Sequence, residues 1–245
     1  DQSLENKVII YLDEAQNVFL SKERGFEAYY ALINIINFNT NNIFWVLSFN
    51  KYSWLYLDRA FGKNQFFRNV YELRGWSDVK IKDLILKRHA CAEFKLSYDT
   101  LINATRSQDE IDRYATVESK FFKLLWEMSS GNPRMALFLW LSALSRKNVK
   151  TLSVNLPKYK DINNLSELSD DFLFTMAHII KHENLSSKEI ETTTNLSEGV
   201  VRNAIKMALE LKLLYRDERR RYMVDIYTQN QMIKYLRSKN YLYGN

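Results

Sequence analysis

Two adjacent carboxylates follow the first long apolar run of the chain. The run KVIIYL, residues 7–12, is rich in β-branched side chains, which is typical of a strand buried on both faces. It ends at Asp13 and Glu14, which would then lie at the carboxyl edge of a sheet, where α/β folds bind ligands. There Asp13 could hold Mg²⁺ through its water shell, and Glu14 could polarise an attacking water. The alternative is that both residues simply end a strand with polar groups.

A polar amide follows the second apolar run in the same way. IFWVLSF, residues 43–49, predicts a second buried strand, and Asn50 comes directly after it. The side chain of Asn50 could orient a water molecule or touch a γ-phosphate at the same sheet edge. Ser48 is a weaker candidate for that role. The alternative for Asn50 is that it opens a turn.

Helical patterns alternate with these strands, which is the rhythm of a parallel α/β sheet. Apolar side chains three to four residues apart predict a helix over 26–36. The segment 53–62 predicts a short helix that Gly62 closes. FFRNVYEL, residues 66–73, predicts a third strand. We therefore expect a parallel sheet within residues 1–76.

Between residues 77 and 148 the patterns predict helices and no strands. The predicted helices are 77–90, 117–129 and 130–147. Ser77 is placed to cap the first of them, and Asn132 with Pro133 to begin the last. Residues 77–148 should therefore form a small helical domain. The polar stretch 149–166 predicts a linker.

The C-terminal segment 167–245 predicts a winged-helix domain from the order of its elements. Three helical patterns come first, and a capping box of Ser186 and Glu189 opens the second. Two short β-runs then flank a charged tip at 217–221, and a last helix follows. Three helices followed by a β-hairpin is the order of a winged helix, a helix-turn-helix variant. The fold class expected for the whole chain is mainly α with an α/β part.

The net charge of +6 is concentrated in the last fifty residues, 196–245. Residues 196–245 carry ten basic and five acidic side chains, which suggests a polyanion partner. If that partner is DNA, the helix after Ser197 would enter the major groove and the hairpin tip would reach phosphates or the minor groove. The expected DNA contacts are Arg202, Asn203, Lys206, Arg219, Arg220 and Arg221. The alternatives are a solvated basic face, or a module that packs on the rest of the chain or on a protein partner.

Four segments, taken in order, resemble those of AAA+ and related STAND P-loop ATPases. VIIYLDEAQ looks like a Walker B segment, and WVLSFN resembles a sensor 1 strand. FFRNVYELRGWSDVKIKDLILKRH is similar to the fifth strand of the sheet and the start of the helical lid. SGNPRMAL resembles the start of the sensor 2 helix. The segments that the resemblance implies are a partial P-loop NTPase sheet at 1–76, a helical lid at 77–148, a linker at 149–166 and a winged helix at 167–245.

This resemblance implies a switch or motor protein that binds and hydrolyses ATP with Mg²⁺. The residues that would act on the nucleotide are Asp13 for Mg²⁺, Glu14 as catalytic base, Asn50 as sensor 1 and Arg134 as sensor 2. An arginine finger would act on the nucleotide of a neighbouring subunit in a homo-oligomer, with Arg68 as the best match and Arg59 as the second. The alternatives are that Arg68 is a surface residue beside a strand and that Arg134 faces solvent in a first helical turn.

One motif of these ATPases is missing, because no GxxxxGK[ST] stretch occurs in the 245 residues. Without this P-loop nothing here cradles the β- and γ-phosphates. The resemblance therefore implies that the P-loop lies before residue 1 or on another chain, and we expect the 245 residues alone to be inactive. A second hypothesis is a non-catalytic DNA- or protein-binding winged-helix regulator on a degenerate ATPase scaffold.

Other features of the composition exclude several classes of protein. The single cysteine, Cys91, rules out an intrachain disulfide framework and a cysteine zinc site. The longest apolar run, 135–144, is half of the ~20 residues that a membrane helix needs, so no span is expected within these residues. A cytoplasmic location is expected, with membrane anchoring through other segments left open. His178 and His182 are four residues apart on a predicted helix, but no third metal ligand is evident, so we interpret them as structural.

Overall fold

The computed structural model describes residues 7–38, 42–62, 66–102, 110–157, 162, 165 and 167–243, with backbone only for 110–115. These residues are mainly helical, with small sheets. They form two compact units, one within 1–72 and 162–245 and the other within 73–161. The domain bounds predicted from the sequence are 1–76, 77–148, 149–166 and 167–245. They stay a prediction, because compact units do not by themselves define domains.

The N-terminal part of the first unit contains two parallel strands and two helices. Its elements are β1 (Val8–Leu12), a short 3-10 helix (Ala15–Val18), α1 (Glu27–Phe38), β2 (Ile43–Leu47) and α2 (Lys51–Phe61). The strands pair from Val8 with Ile43 to Leu12 with Leu47, so their carboxyl ends lie side by side. Gly62 ends α2 with a positive φ of 83°, as predicted for a closing glycine.

The prediction that these strands are buried on both faces is wrong. Alternate residues face solvent, and Ile9, Tyr11 and Phe44 are between 61% and 70% exposed. The other face of each strand is half-buried. The reason is that the described residues cover only one face of this two-stranded sheet, whereas a larger parallel sheet has helices on both.

The predicted third strand over 66–73 is not formed. The described residues there pair with no strand, and Tyr71 and Leu73 are 86% and 98% exposed. A β-branched, aromatic sequence favours extended backbone, but a strand also needs a hydrogen-bonded neighbour, and no described strand lies beside this segment. Its contact with the rest of the first unit includes an ion pair of 2.6 Å between Glu72 and Lys51 at the start of α2.

The second unit contains both helices and strands. Its elements are α3 (Asp78–Ala90), β3 (Lys95–Ser97), α4 (Asp99–Ile102), α5 (Glu110–Ser129), α6 (Pro133–Ala143), β4 (Leu144–Arg146) and β5 (Thr151–Val154). Its sheet has the order β3-β5-β4, with β3 parallel and β4 antiparallel to β5. The prediction that 77–148 is purely helical is therefore wrong, and the predicted linker 149–166 contains β5. Strands of three or four residues are too short to give a clear period in sequence.

The N-caps predicted for two helices of this unit are confirmed. The Ser77 hydroxyl accepts from the Lys80 amide at 3.4 Å, and Asn132 accepts from the Arg134 amide at 2.9 Å. The last predicted helix ends at Ala143 rather than at 147, because the chain turns there into the hairpin of β4 and β5. None of the helices in the described part of the chain is both long and apolar enough to cross a membrane.

The C-terminal part of the first unit has the element order that its sequence predicts. Its elements are α7 (Asp170–His182), α8 (Ser187–Thr194), α9 (Glu198–Glu210), β6 (Leu214–Arg216), β7 (Tyr222–Val224) and α10 (Ile226–Ser238). The strands form an antiparallel hairpin, and the Ser186–Glu189 capping box is present. One apolar core joins these elements, with Met176, Val201 and Leu236 fully buried.

The two parts of the first unit pack together through α2 and α7. The Ser53 hydroxyl donates to the Lys181 carbonyl, and both residues are buried. The Lys181 ammonium lies 4.5 Å from the centre of the Tyr56 ring, a cation–π contact. Leu20 and Tyr52 pack against the C-terminal core. This packing carries the end of α7 to the carboxyl ends of β1 and β2.

Candidate functional site

Asp13 lies just after β1 and is held by its neighbours on both strands. One carboxylate oxygen, Oδ1, accepts from the Tyr11 hydroxyl at 3.2 Å, from the Glu14 amide at 3.0 Å and from the Ser48 hydroxyl. The bond from Ser48 is the largest of the effects that lower the pKa of Asp13, so the carboxylate is charged near neutral pH. Within the described residues, the other oxygen, Oδ2, accepts no hydrogen bond.

Parallel pairing of the strands explains why Ser48 reaches Asp13. The Ser48 amide donates to the Leu12 carbonyl at 3.0 Å, and the Ala15 amide donates to the Ser48 carbonyl at 2.9 Å. Backbone hydrogen bonds between the two segments therefore continue past the strands, to Ser48 on one and Ala15 on the other. The sequence suggested Ser48 only as a weak alternative to Asn50, but in the structure it orients the first carboxylate.

Glu14 is exposed and lies in a tight turn of the backbone. Its φ of 52° and ψ of 44° are in the left-handed region, which few residues other than glycine adopt. One carboxylate oxygen of Glu14 accepts from the Asn17 amide side chain at 3.3 Å. The turn leads into the short 3-10 helix and keeps the Glu14 carboxylate at the sheet edge beside Asp13.

Asn50 is the N-cap of α2. Its side-chain oxygen accepts from the Tyr52 amide at 2.8 Å, which is the turn-opening alternative predicted from the sequence. Its backbone amide donates to the Gln16 side chain at 3.0 Å. Its side chain also lowers the pKa of the nearby Glu183 carboxylate. The side-chain oxygen of Asn50 is thus engaged in the helix cap, and the sensor 1 role stays a prediction.

Glu183 is the residue of this cluster that sequence reasoning missed. It follows α7, and its carboxylate accepts from the side-chain amide of the buried Gln16 at 2.8 Å. Burial and repulsion by Glu14 raise the pKa of Glu183, with a further contribution from Asp13, while the Asn50 side chain opposes them. Gln16 and Glu183 are 167 positions apart, so no local pattern could have joined them.

The three predicted arginines lie in different settings. Arg68 is exposed in the extended segment that replaces the third strand, and its side chain makes no hydrogen bond or ion pair with a described residue. The guanidinium of Arg59, on α2, lies 4.3 Å from the centre of the Tyr243 ring. Arg134 is exposed in the first turn of α6, in the second unit. The roles of all three stay predictions.

Acidic partners accompany the cations predicted to contact DNA on α9. Arg202 pairs with Glu198, and Lys206 pairs with Glu210 at 3.9 Å, each across one turn of the helix. Asn203 is exposed between them. All four charged side chains are more than 65% exposed, so these pairs contribute little to stability. They nevertheless leave this face of α9 without a net positive charge.

Arg221 and its neighbours on the hairpin differ in their contacts. The guanidinium of Arg221 donates to the Asn184 side chain, to the Asn184 carbonyl at 3.2 Å and to Glu189 at 3.3 Å. It is therefore a structural link between the hairpin and the start of α8, and a DNA contact by Arg221 stays a prediction. Arg219 and Arg220 are exposed at the tip, and their guanidinium groups bond to no described residue.

No group of three His, Cys, Asp or Glu side chains among the described residues is arranged to hold a metal ion. A cation at the sheet edge would therefore need ligands beyond Asp13 and Glu14, such as water and the phosphates of a nucleotide.

Comparisons with known proteins place the chain in no family. No protein-family model and no curated protein matches the sequence. One similar solved structure is an alanine-to-serine mutant of RuvB from Thermotoga maritima, with 14% sequence identity and a TM-score of 0.34. The similarity covers 94% of this chain and 71% of that chain. At this TM-score it carries no argument about fold or function.

Proposed function

We propose that this chain is part of an AAA+- or STAND-type ATPase, in which the edge formed by Asp13 and Glu14 acts on Mg²⁺-ATP. The observation that carries the proposal is the carboxylate of Asp13, which three donors orient at the end of a strand paired in parallel with its neighbour. The resemblance of VIIYLDEAQ to a Walker B segment supports the same conclusion.

The residues at the edge fit Mg²⁺ and ATP. Asp13 is exposed and charged, and its Oδ2 is available to the water shell of a cation. Glu14, exposed beside it, is placed to accept a proton from an attacking water. Bound Mg²⁺ would neutralise charge on the phosphates as the terminal phosphoryl group leaves. Arg134 as sensor 2 and Arg68 or Arg59 as arginine finger complete the proposal.

Phosphate binding needs a part that the sequence does not contain. A P-loop lysine and its glycine-rich loop are absent from the 245 residues, so we propose that they come from outside this stretch. The chain alone should then bind Mg²⁺-ATP weakly or not at all, and turnover should require the P-loop, either upstream on the same polypeptide or on another chain.

Titration calorimetry with Mg²⁺-ATP tests this proposal. We compare the 245-residue chain with a preparation that carries a P-loop segment, and each with Glu14→Gln and Asp13→Ala. We expect binding only with the P-loop, turnover lowered at least about 10²-fold by Glu14→Gln with binding retained, and weaker Mg²⁺-dependent binding with Asp13→Ala.

The matched control is Glu210→Gln, which replaces an exposed carboxylate on α9. It should change neither the binding of Mg²⁺-ATP nor its turnover. If no preparation binds nucleotide, the Walker B resemblance is a relic and the non-catalytic scaffold is the better hypothesis. Equal turnover by the wild type and Glu14→Gln would remove Glu14 from the mechanism.

For the C-terminal part, we propose a winged helix that binds DNA through the tip of its hairpin. The supporting observation is that the Arg219 and Arg220 guanidinium groups bond to no described residue, whereas the cations of α9 have acidic partners. Binding would then depend mainly on phosphate contacts from the tip and little on base sequence.

Salt-dependent binding to a DNA duplex tests this second proposal. Replacing Arg219 and Arg220 by Ala should lower the slope of log K against log salt by about 2, which is close to 0.9 for each lost phosphate contact. Arg88→Ala, on an exposed residue of α3, is the control. Wild-type protein without salt-dependent DNA binding would favour the alternative of a protein partner.

A further inference from the structure

An open cleft lies between α9, strand β7 of the hairpin and the start of α8. Its volume is about 320 Å³, at the small end of the ~300–1,000 Å³ that ligand-binding clefts have. Three apolar and three charged side chains line it, namely Ile205, Leu209 and Tyr222 with Arg202, Lys206 and Glu210. The cleft contains none of the residues that we propose for nucleotide or for the hairpin tip.

The side chains that α9 contributes form one stripe along the helix. Arg202, Ile205, Lys206 and Leu209 follow the spacing i, i+3, i+4 and i+7, so they succeed one another on a single face. Ile205 is 5% exposed and belongs to the apolar core, whereas Leu209 is 36% exposed and offers apolar surface to solvent. The stripe therefore combines two cations with an apolar surface that extends out of the core.

The wall opposite this stripe is held in place by backbone hydrogen bonds. The Tyr222 amide donates to the Leu185 carbonyl at 2.8 Å, and the Leu185 amide donates to the Tyr222 carbonyl at 3.2 Å. Tyr222 also pairs with Arg216 across the hairpin. The cleft is thus formed before any ligand arrives, which lowers the conformational cost of binding.

The same stripe is poorly suited to the phosphates of DNA. Arg202 pairs with Glu198 and Lys206 with Glu210, so a duplex laid against α9 would meet two carboxylates together with the two cations. Phosphates would also gain nothing from the apolar surface of Leu209 and the cleft behind it. By contrast, these exposed ion pairs are weak, so carboxylates of a ligand can replace Glu198 and Glu210 at little cost.

We infer that this cleft is a docking site for a protein segment that carries an apolar side chain flanked by carboxylates, such as one face of an acidic amphipathic helix. The apolar side chain would enter between Leu209 and Tyr222, and the carboxylates would bind Arg202 and Lys206, as in the recognition of a helix by a groove. Charge complementarity selects an acidic partner, because residues 196–245 carry twice as many basic as acidic side chains. The DNA proposal uses only the hairpin tip, so this inference goes beyond it.

Peptide selection on the 245-residue chain tests the inference. The probe is a phage-displayed library of random peptides of about twelve residues, long enough for anchors at i, i+3, i+4 and i+7. We expect the enriched peptides to combine Leu, Phe or Trp with at least two Asp or Glu. In fluorescence anisotropy their affinity should fall at least about tenfold with Lys206→Glu and about three- to tenfold with Leu209→Gln, because these variants remove a charge partner and an apolar contact.

Lys234→Glu is the matched control, because it changes the net charge as Lys206→Glu does but lies exposed on α10, outside the cleft. It should change peptide affinity less than about twofold. Lys206 is also exposed, so thermal unfolding should be nearly the same in both variants. Enriched peptides without carboxylates, or peptides that bind the wild type, Lys206→Glu and Leu209→Gln equally well, would overturn the inference.

The salt dependence of DNA binding separates a protein segment from DNA as the ligand of this face. If DNA occupies α9, replacing Arg202 and Lys206 by Ala lowers the slope of log K against log salt by about 2, and this result would overturn the inference. We expect the slope to stay unchanged in this double variant. If the wild type binds no DNA at all, the peptide affinities alone decide the inference, while the proposal for the hairpin tip fails.

Discussion

The stability of the first unit should fall steeply when the pH drops below 6.5, because two histidines of α7 are buried as neutral bases. His178 and His182 are 5% and 2% exposed, and burial lowers their pKa values from 6.5 to about 4 and about 3. The Lys181 ammonium between them opposes protonation of both, and Arg221 adds to this at His182. Nε2 of His182 also lies 2.9 Å from the Ser21 hydroxyl.

The sign and size of the effect follow from proton linkage. A base whose pKa is lowered on folding gives a stability that is present above its unfolded pKa of 6.5 and is lost as pH falls towards its folded pKa. Between pH 7 and pH 5 each histidine should therefore cost about 2 kcal/mol of unfolding free energy. The pKa of Lys181, lowered by burial to about 8, lies above this window, so Lys181 is mostly protonated throughout.

Urea unfolding at pH 7 and pH 5, followed by tryptophan fluorescence, measures this loss in the wild type and in His182→Gln. Glutamine can still accept from Ser21 but does not titrate, so the loss should be about 2 kcal/mol smaller in the variant. Glu183 changes in the opposite direction with pH, but it is present in both proteins and cancels in the comparison. His89→Gln, in the second unit, controls for the removal of one imidazole. A difference between wild type and His182→Gln below about 0.5 kcal/mol would refute the reasoning.

Three further predictions concern single contacts. Ser48→Ala should raise the pKa of Asp13 in an NMR titration, because the bond from Ser48 is the largest cause that lowers it. Gly131→Ala should destabilise the second unit by roughly 2 kcal/mol or more in urea unfolding, since its φ is +72° and a Cβ would lie 2.5 Å from a carbonyl oxygen. Its contrast is Gly199→Ala on α9, where a Cβ would meet open space and should stabilise by about 0.5 kcal/mol. Arg221→Ala should cost about 1–3 kcal/mol and lower the melting temperature, because Asn184 and Glu189 each lose the donor that ties the hairpin to the start of α8.

Features that depend on neighbouring residues along the chain could be predicted from the sequence. The caps Ser77 and Asn132 act on amides two or three positions away, so the residue type and the pattern after it are enough. The same holds for the Ser186–Glu189 capping box and for the closing Gly62. The order of helices and hairpin after residue 167 was predictable because its helices have a clear period and a charged tip separates the two short β-runs of the hairpin.

Features that depend on what covers or pairs with a segment could not be predicted. The run 66–73 has strand-forming residues, but pairing decides whether a strand forms, and no described strand pairs with it. The prediction that β1 is buried on both faces was wrong for the same reason, because no described residues cover Ile9 and Tyr11. Conversely, β5 lies in a polar stretch that reads as a linker and is a strand because β3 and β4 pair with it.

The candidate site also contains residues that the sequence could predict and residues that it could not. Asp13, Glu14 and Ser48 come together because parallel strands align their carboxyl ends. The sequence pattern of the two strands is enough to predict this. Glu183 reaches the edge only because α7 packs on α2, which depends on the side chains of two distant segments. The burial of Gln16 could not be predicted either, because this glutamine lies in a polar turn of the sequence. In the fold its side-chain amide is buried and bonds to both Glu183 and Asn50.

The electrostatics of the edge set a requirement for the proposed nucleotide site. Asp13 and Glu14 both repel Glu183, so the cluster is already short of positive charge before any ligand arrives. An anionic nucleotide would meet the same repulsion unless a cation came with it. Binding of a phosphate together with Mg²⁺ would relieve the excess of negative charge that these three carboxylates share, and nucleotide binding at this edge should therefore depend on the cation.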